Sequence, residues 1–235
     1  MQVSTKTWET MAEHSRLLVD DSWFKEVSGF LFYPSRSIDQ SWLKDVAKFH
    51  GLAPQDLPKD EKSLSKLIRL MKDLKVEDGD FEFDLEIKAI ALRCFPYLES
   101  LMLWAGICLH HESLKSYISK KDQLTLRSEI GGSGYRFALK RAPFIMPSRP
   151  EATPLDLSGG LQGVAQKLRK AGLECFLKAN HEASLGFKQR VILKFPASWQ
   201  VQENVTTTDD ESRKATQLIL KVQKEVENFE AVSRK

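Results

Sequence analysis

Residues Asp84 to Ile145 read DLEIKAIALRCFPYLESLMLWAGICLHHESLKSYISKKDQLTLRSEIGGSGYRFALKRAPFI, and they hold most of the features on which the fold depends. The run 101–109 is apolar on nearly every side of a helix, so we expect a central helix that other helices cover. Pro96 can begin this helix, because a missing N–H group costs nothing in the first turn. The pair Ala105-Gly106 leaves room for another helix to cross closely. The stretch therefore predicts the core of an α-helical domain.

Helical spacing of apolar residues extends this prediction over most of the chain. Such spacing is found in the segments 6–20, 22–33, 39–51, 64–74, 161–179 and 211–232. Only Arg190 to Phe195 (RVILKF) fits a strand, and this segment could also be a helix end or an extended segment. We predict a mainly α fold: a single compact helical domain over 1–200, with at most a minor β element near 190–195. A flexible linker and an amphipathic C-terminal helix over 201–235 form an extension, and the Pro/Gly-rich loop 142–160 could divide the domain.

Composition limits the classes of protein to which the chain can belong. Its 235 residues are 42% hydrophobic with a formal net charge of +3, which suits a globular core and does not favour nucleic acid as a partner. Three cysteines without CxxC spacing argue against a disulfide framework or a structural zinc site, and fit reduced thiols in the cytoplasm. The polar N-terminus predicts no cleaved signal, and the longest apolar stretch is too short to span a bilayer.

Two segments have strong local charge. Residues 73–86 hold seven acids and one Lys, and residues 115–149 hold eight bases and two acids. Each segment is either a solvated surface or an electrostatic docking surface for a protein partner. Within the basic segment, Arg136, Lys140 and Arg141 share a helical face, and we predict them as the first partner-binding surface.

The C-terminal helix provides the second predicted surface. Leu218, Val222, Val226 and Phe229 lie on one apolar stripe that follows a flexible linker. The stripe either packs back on its own domain or docks into a groove of a partner.

Several motifs suggest catalysis but lack an essential residue. His111-Glu112 begins an H-E-x-x-H motif, yet Lys115 stands where the second His is needed. Residues 131–134 (GGSG) fail the G-x-S-x-G nucleophile elbow because Tyr135 follows, and a helix-breaking turn with positive φ is the simpler interpretation. Cys108 lies in an apolar run that would raise its pKa. We therefore predict no catalytic residue, metal or cofactor; the rival is a small helical hydrolase or transferase using His110, His111 or Ser133.

Three segments together resemble a known family. They are FLFYPSRSIDQSWL (30–43), LMLWAGICLHHESLKSYI followed by LRSEIGGSGYRFALKRAP (101–143), and GLECFLKANHEASLGFKQRVILKFP (172–196). Their order and spacing, over roughly residues 20–200, is similar to that of the SctK (YscK-like) proteins of bacterial type III secretion systems. The acidic segment 73–86 and the tail after Asn204 are not part of this resemblance.

The resemblance implies a mainly α-helical, non-enzymatic adaptor of the sorting platform, at the cytoplasmic face of the bacterial inner membrane. The expected partners are the cytoplasmic domain of the inner-membrane ring protein SctD and the pod protein SctQ. The chain would then be peripheral to the membrane through these proteins, and not inserted in it. The alternative within secretion is a chaperone or regulator that binds effectors directly.

Overall fold

A computed structural model describes residues 21–75, 83, 85–117, 119–145, 150–152, 154–158 and 160–233. The helix predicted over 6–20 and most of the acidic segment 73–86 lie outside the described residues. The described part of the chain contains ten helices and no strand, so the prediction of a mainly α fold is confirmed. The helices are α1 Asp21–Phe32, α2 Leu43–Phe49, α3 Glu61–Met71, α4 Glu86–Ala89, α5 Phe95–Lys115, α6 Lys120–Lys140, α7 Ala142–Ile145, α8 Val164–Ala179, α9 Leu185–Leu193 and α10 Asp209–Ser233.

The candidate β element near 190–195 is helical in the structure. Residues 190–193 form the last turn of α9, and Ser184 caps the start of this helix by accepting a hydrogen bond from the backbone N–H of Phe187. Every residue from 190 to 195 is buried, so the segment has no polar face that would reveal a helical period. A short apolar run of this kind fits a buried strand and a buried helix equally well.

The chain forms two compact units. The first unit comprises Met1–Phe95 and Glu182–Glu203, and the second comprises Pro96–His181 and Asn204–Lys235. These units differ from the predicted division at residue 200. The segment predicted as the loop 142–160 begins with helix α7, and further along it the carbonyl oxygen of Glu151 accepts a hydrogen bond from Lys178 Nζ at 2.7 Å.

The core of the first unit has an aromatic cluster. Phe30, Phe83 and Phe187 contact one another with ring centroids 5.6 to 6.1 Å apart, and all three are buried. A neighbouring cluster consists of Val46, Ile68, Leu74 and Leu193. Helix α9 contributes Phe187 to the first cluster and Leu193 to the second. It therefore packs against N-terminal helices from which it is more than 100 residues away in the sequence.

Arg190 is a charged residue buried within this core, with 2% of its surface exposed. Its guanidinium donates to three backbone carbonyls: Leu31 at 3.2 Å, Gly186 at 2.9 Å and Lys75 at 3.3 Å. The carbonyls of Leu31 and Lys75 belong to the end of α1 and to the segment after α3. Arg190 therefore ties three separate parts of the first unit together.

Lys194 is the second buried cation of this unit. Its Nζ donates to the carbonyl oxygens of Ala91 at 2.6 Å and Arg93 at 3.3 Å, and lies 5.4 Å from the ring centre of Phe30. Burial lowers its pKa from the usual 10.5 to about 8. The ammonium group is therefore mostly charged at neutral pH, but at a cost in free energy that the unfolded chain does not have.

We expect this cost to appear in the pH dependence of stability. Because the pKa of Lys194 is lower in the folded than in the unfolded chain, the unfolded chain binds more protons between pH 8 and 10.5, and stability rises with pH. Relative to a Lys194→Met variant, the wild type should gain about 1 kcal/mol in free energy of unfolding between pH 7 and pH 9. Urea unfolding at both pH values measures this difference, and Lys44→Met on the exposed face of α2 is the control. A constant difference between wild type and Lys194→Met would contradict the expectation.

In the second unit, α5 and α8 cross at two glycines. A Cβ atom built on Gly106 of α5 would overlap the backbone of Leu168, and one built on Gly172 of α8 would overlap the backbone of Met102. The two helices therefore pack backbone to backbone, and each glycine makes room for the other helix. The close crossing expected at Gly106 is confirmed, whereas the role of Gly172 was not foreseen.

Helix α10 packs along α8 and also contacts α7. Its apolar stripe faces the core, since Leu218 and Val222 are 0% exposed and Val226 is 2% exposed. Thr216 Oγ1 donates to the carbonyl oxygen of Ala179 at the end of α8, at 3.3 Å. Of the two predicted arrangements of this helix, the structure has the one in which it packs back on its own unit.

Candidate partner-binding groove

An open groove of about 330 Å³ lies on the second unit between α6 and α10. Its floor is aromatic: the rings of Trp104 and Phe137 are stacked at 4.3 Å with an angle of 19° between them. The ring of Phe229 meets Trp104 edge-on at 5.6 Å. Trp104 and Phe137 are buried, whereas Phe229 is 40% exposed and faces both the groove and the solvent.

The rim of the groove is basic. Arg136, Lys140 and Arg141 line it from α6 and its C-terminus, and Glu225 lines it from α10. The guanidinium of Arg141 binds the Glu225 carboxylate through two hydrogen bonds, one of them from Nε at 3.0 Å, and this carboxylate raises the pKa of Arg141. Arg136 and Lys140 are exposed and form no ion pair within the described part of the chain.

Helix α6 is interrupted before its basic C-terminal segment. Gly131 has a φ of 74°, a left-handed conformation that glycine adopts without strain, so the helix is interrupted there. The predicted helix-breaking turn is therefore confirmed at Gly131. In the helical segment after the break, Phe137 is buried in the core, whereas Arg136 and Lys140 are exposed to solvent. The N–H of Arg141 closes this segment by donating to the carbonyl oxygen of Phe137 at 2.9 Å.

Four of the seven residues predicted to bind partners meet in this groove: Arg136, Lys140, Arg141 and Phe229. The other three, Leu218, Val222 and Val226, are buried in the unit and offer no surface to a partner in this structure. They are therefore removed from the proposed contact surface, and their role is to hold α10 against α8. An amphipathic stripe looks the same in the sequence whether its own domain or a partner covers it.

The sequence did not identify Trp104 or Glu225 as part of the groove. Trp104 lies in a helix that is apolar all round, where no pattern distinguishes a residue that lines a groove from one within the core. The one available signal was its size, since aromatic residues are enriched in protein interfaces.

The residues considered for catalysis lie mostly in the interior. His110 and His111 are buried, and His110 stands at a non-helical break in α5 with φ −113°. Burial lowers the pKa of His110 and so favours its neutral form. Cys108 is fully buried, and Ser133 lies at the groove. Among the described residues, no group of three or more His, Cys, Asp and Glu side chains is arranged to hold a metal ion.

No helix in the described ranges combines the length and the apolar character that a membrane span requires.

Comparison with known proteins finds a family model and solved structures that are similar to this chain. The model of the family described as YOP proteins translocation protein K (YscK) matches residues 27–230. A solved structure of the cytoplasmic domain of the T3SS sorting platform protein PscK from P. aeruginosa is similar, with 25% identity and a TM-score of 0.59. The match covers 85% of this chain and 94% of that chain. No curated protein matches.

Proposed function

The chain belongs to the YscK family, and from this we propose that it is a non-enzymatic adaptor in the sorting platform of a bacterial type III secretion system. In this role it joins the cytoplasmic domain of the inner-membrane ring protein to the pod protein, at the cytoplasmic face of the inner membrane. The family match over residues 27–230 carries the proposal. The similarity to PscK, a sorting platform protein, supports it.

The structure of the second unit suits a binding surface better than a reaction centre. The groove combines a rigid aromatic floor with a basic rim, which is the pattern of an interface core surrounded by polar contacts. The floor is held by buried packing, because α10 is anchored to α8 by Leu218, Val222 and Val226. The ion pair of Arg141 with Glu225 joins the end of α6 to α10.

An adaptor needs a second contact surface, and the first unit exposes apolar side chains of its own. Phe49 at the end of α2 is 60% exposed, and Leu70 near the end of α3 is 56% exposed. The ring of Phe49 lies edge-on against His50, whose Nε2 is 2.9 Å from the carbonyl oxygen of Leu67. The contact of His50 with Leu67 therefore joins the end of α2 to α3 next to Phe49.

We expect a tagged chain, purified from a bacterium that assembles this secretion system, to recover both the ring protein and the pod protein. The double variant Arg136→Ala/Lys140→Ala should reduce recovery of one of the two proteins by about tenfold or more, since Arg is enriched at interface hot spots and both cations border the aromatic floor. Recovery of the other protein should be unchanged. Quantitative mass spectrometry of the eluates measures both.

The matched control is Lys120→Ala/Lys121→Ala, which removes two positive charges from the other end of α6. This variant should recover both proteins as the wild type does. If the wild type recovers effectors alone, the chain is a chaperone and the adaptor proposal is contradicted. If both proteins are recovered equally with wild type and the groove variant, the groove is not the contact surface.

A further inference from the structure

We propose that the groove of the second unit recognises an acidic segment of a partner protein that carries a large apolar anchor side chain. This inference rests on the proposed function, because it names the chemistry of a partner at the same site. It depends on three features of the groove: an accessible aromatic surface, two available cations and one internal carboxylate that is already neutralised.

The aromatic floor provides the site for the anchor. Phe229 is 40% exposed at the groove although its ring also contacts Trp104, so part of an aromatic cluster is left in contact with water. An apolar side chain that covers this surface removes the exposed part of the ring from water. An aromatic side chain would also add a further ring contact to the stacked pair of Trp104 and Phe137. A groove of about 330 Å³ lies at the lower end of the sizes that bind ligands, about 300–1,000 Å³, and suits an anchor side chain of a peptide.

The charged residues on the rim favour a negatively charged partner. Arg136 and Lys140 line the groove and have no ion pair within the residues that the structure describes. Glu225 is the acidic residue that lines the groove, and both of its carboxylate oxygens accept hydrogen bonds from Arg141. The groove therefore attracts carboxylates at Arg136 and Lys140, and its described lining contains no unpaired acid to repel them.

A protein segment fits these features better than a membrane surface does. The aromatic surface lies at the bottom of a groove between two helices, where a planar bilayer reaches it less readily than a side chain does. Phe144 is 81% exposed, more than any other aromatic residue that the structure describes in this unit, and it is not part of the groove lining. Phe144 also provides a matched control, because Phe144→Ala makes the same chemical change outside the groove.

The test is selection of peptides from a random phage-displayed library on the full-length protein. We expect the enriched peptides to be net negative and to contain an aromatic or large aliphatic residue. A synthetic peptide of the most enriched sequence should bind at least about tenfold more weakly to Arg136→Ala/Lys140→Ala and to Phe229→Ala than to wild type. It should bind equally to Phe144→Ala, Lys120→Ala/Lys121→Ala and wild type. Circular dichroism confirms that each variant is folded.

Several results would overturn the inference: no enrichment, enrichment of neutral or basic peptides, or equal binding to wild type and both groove variants. Binding of anionic phospholipid vesicles that is lost with Phe144→Ala and kept with Phe229→Ala would also overturn it, by assigning this face to a membrane. These failures are distinct from failure of the adaptor proposal. A chain that recovers ring and pod proteins but selects no acidic peptide remains an adaptor with a different contact surface.

Discussion

Replacing Gly106 or Gly172 by Ala should lower the free energy of unfolding by about 3 kcal/mol or more for each substitution. The added methyl group would overlap the backbone of the other helix, Leu168 in one case and Met102 in the other. A backbone cannot move aside as a flexible side chain can, so α5 and α8 must separate. Their separation would disturb the packing of the whole second unit, because α10 in turn packs on α8. Chemical denaturation followed by circular dichroism measures the loss.

Gly132→Ala is the matched control for this prediction. Gly132 also lies within a helix, but the nearest atom to its added Cβ would be Nε of Arg127 at 3.9 Å, an ordinary distance. Since Ala is a better helix former than Gly, this variant should be neutral or up to about 1 kcal/mol more stable than wild type. If Gly106→Ala and Gly132→Ala had the same stability, the close crossing of α5 and α8 would be disproved.

The second large effect is expected at Arg190. Replacement by Ala removes a buried guanidinium that donates to the carbonyl oxygens of Leu31, Gly186 and Lys75. Buried acceptors that lose their donors have a high cost, and the side chain also leaves a cavity, so we expect a loss of about 3–5 kcal/mol. Arg190→Lys should recover only part of it, because a single ammonium cannot reproduce the geometry of the guanidinium. Thermal and urea unfolding measure both variants.

Arg36→Ala is the control for Arg190. Arg36 belongs to the same unit and pairs with Glu61 at 2.8 Å, but both side chains are more than 40% exposed. Exposed ion pairs contribute little, so this substitution should cost less than about 1 kcal/mol. Equal losses for Arg36→Ala and Arg190→Ala would show that Arg190 does not tie the first unit together.

The sequence predicted the helical fold because most helices have one polar and one apolar face. It left the type of element open for 190–195, because these residues are all buried and no polar face marks the period. Arg190 and Lys194 carry charges and are nevertheless buried, where they donate hydrogen bonds to backbone carbonyls. These two residues belong to the segment ending in Arg-x-x-Leu-Lys-Phe-Pro that resembles the family, and here their roles are structural.

Prediction of the groove was partial for a related reason. Arg136, Lys140 and Arg141 could be grouped because they share one face of one helix. Phe229 was grouped with a stripe that is mostly buried, and Trp104 could not be placed at all, because both depend on how α5, α6 and α10 pack. Distant segments of chain meet in this groove, and a single sequence contains no signal for such contacts. Gly172 is a similar case, since its role depends on Met102 in another helix.

The most direct test of the adaptor is a bridging measurement with three purified proteins. The cytoplasmic domain of the inner-membrane ring protein is immobilised, and the pod protein is passed over it with and without the full-length chain. We predict that the pod protein is retained only when the chain is present. Retention of the pod protein to the same extent without the chain, or no retention with it, would contradict the proposed function.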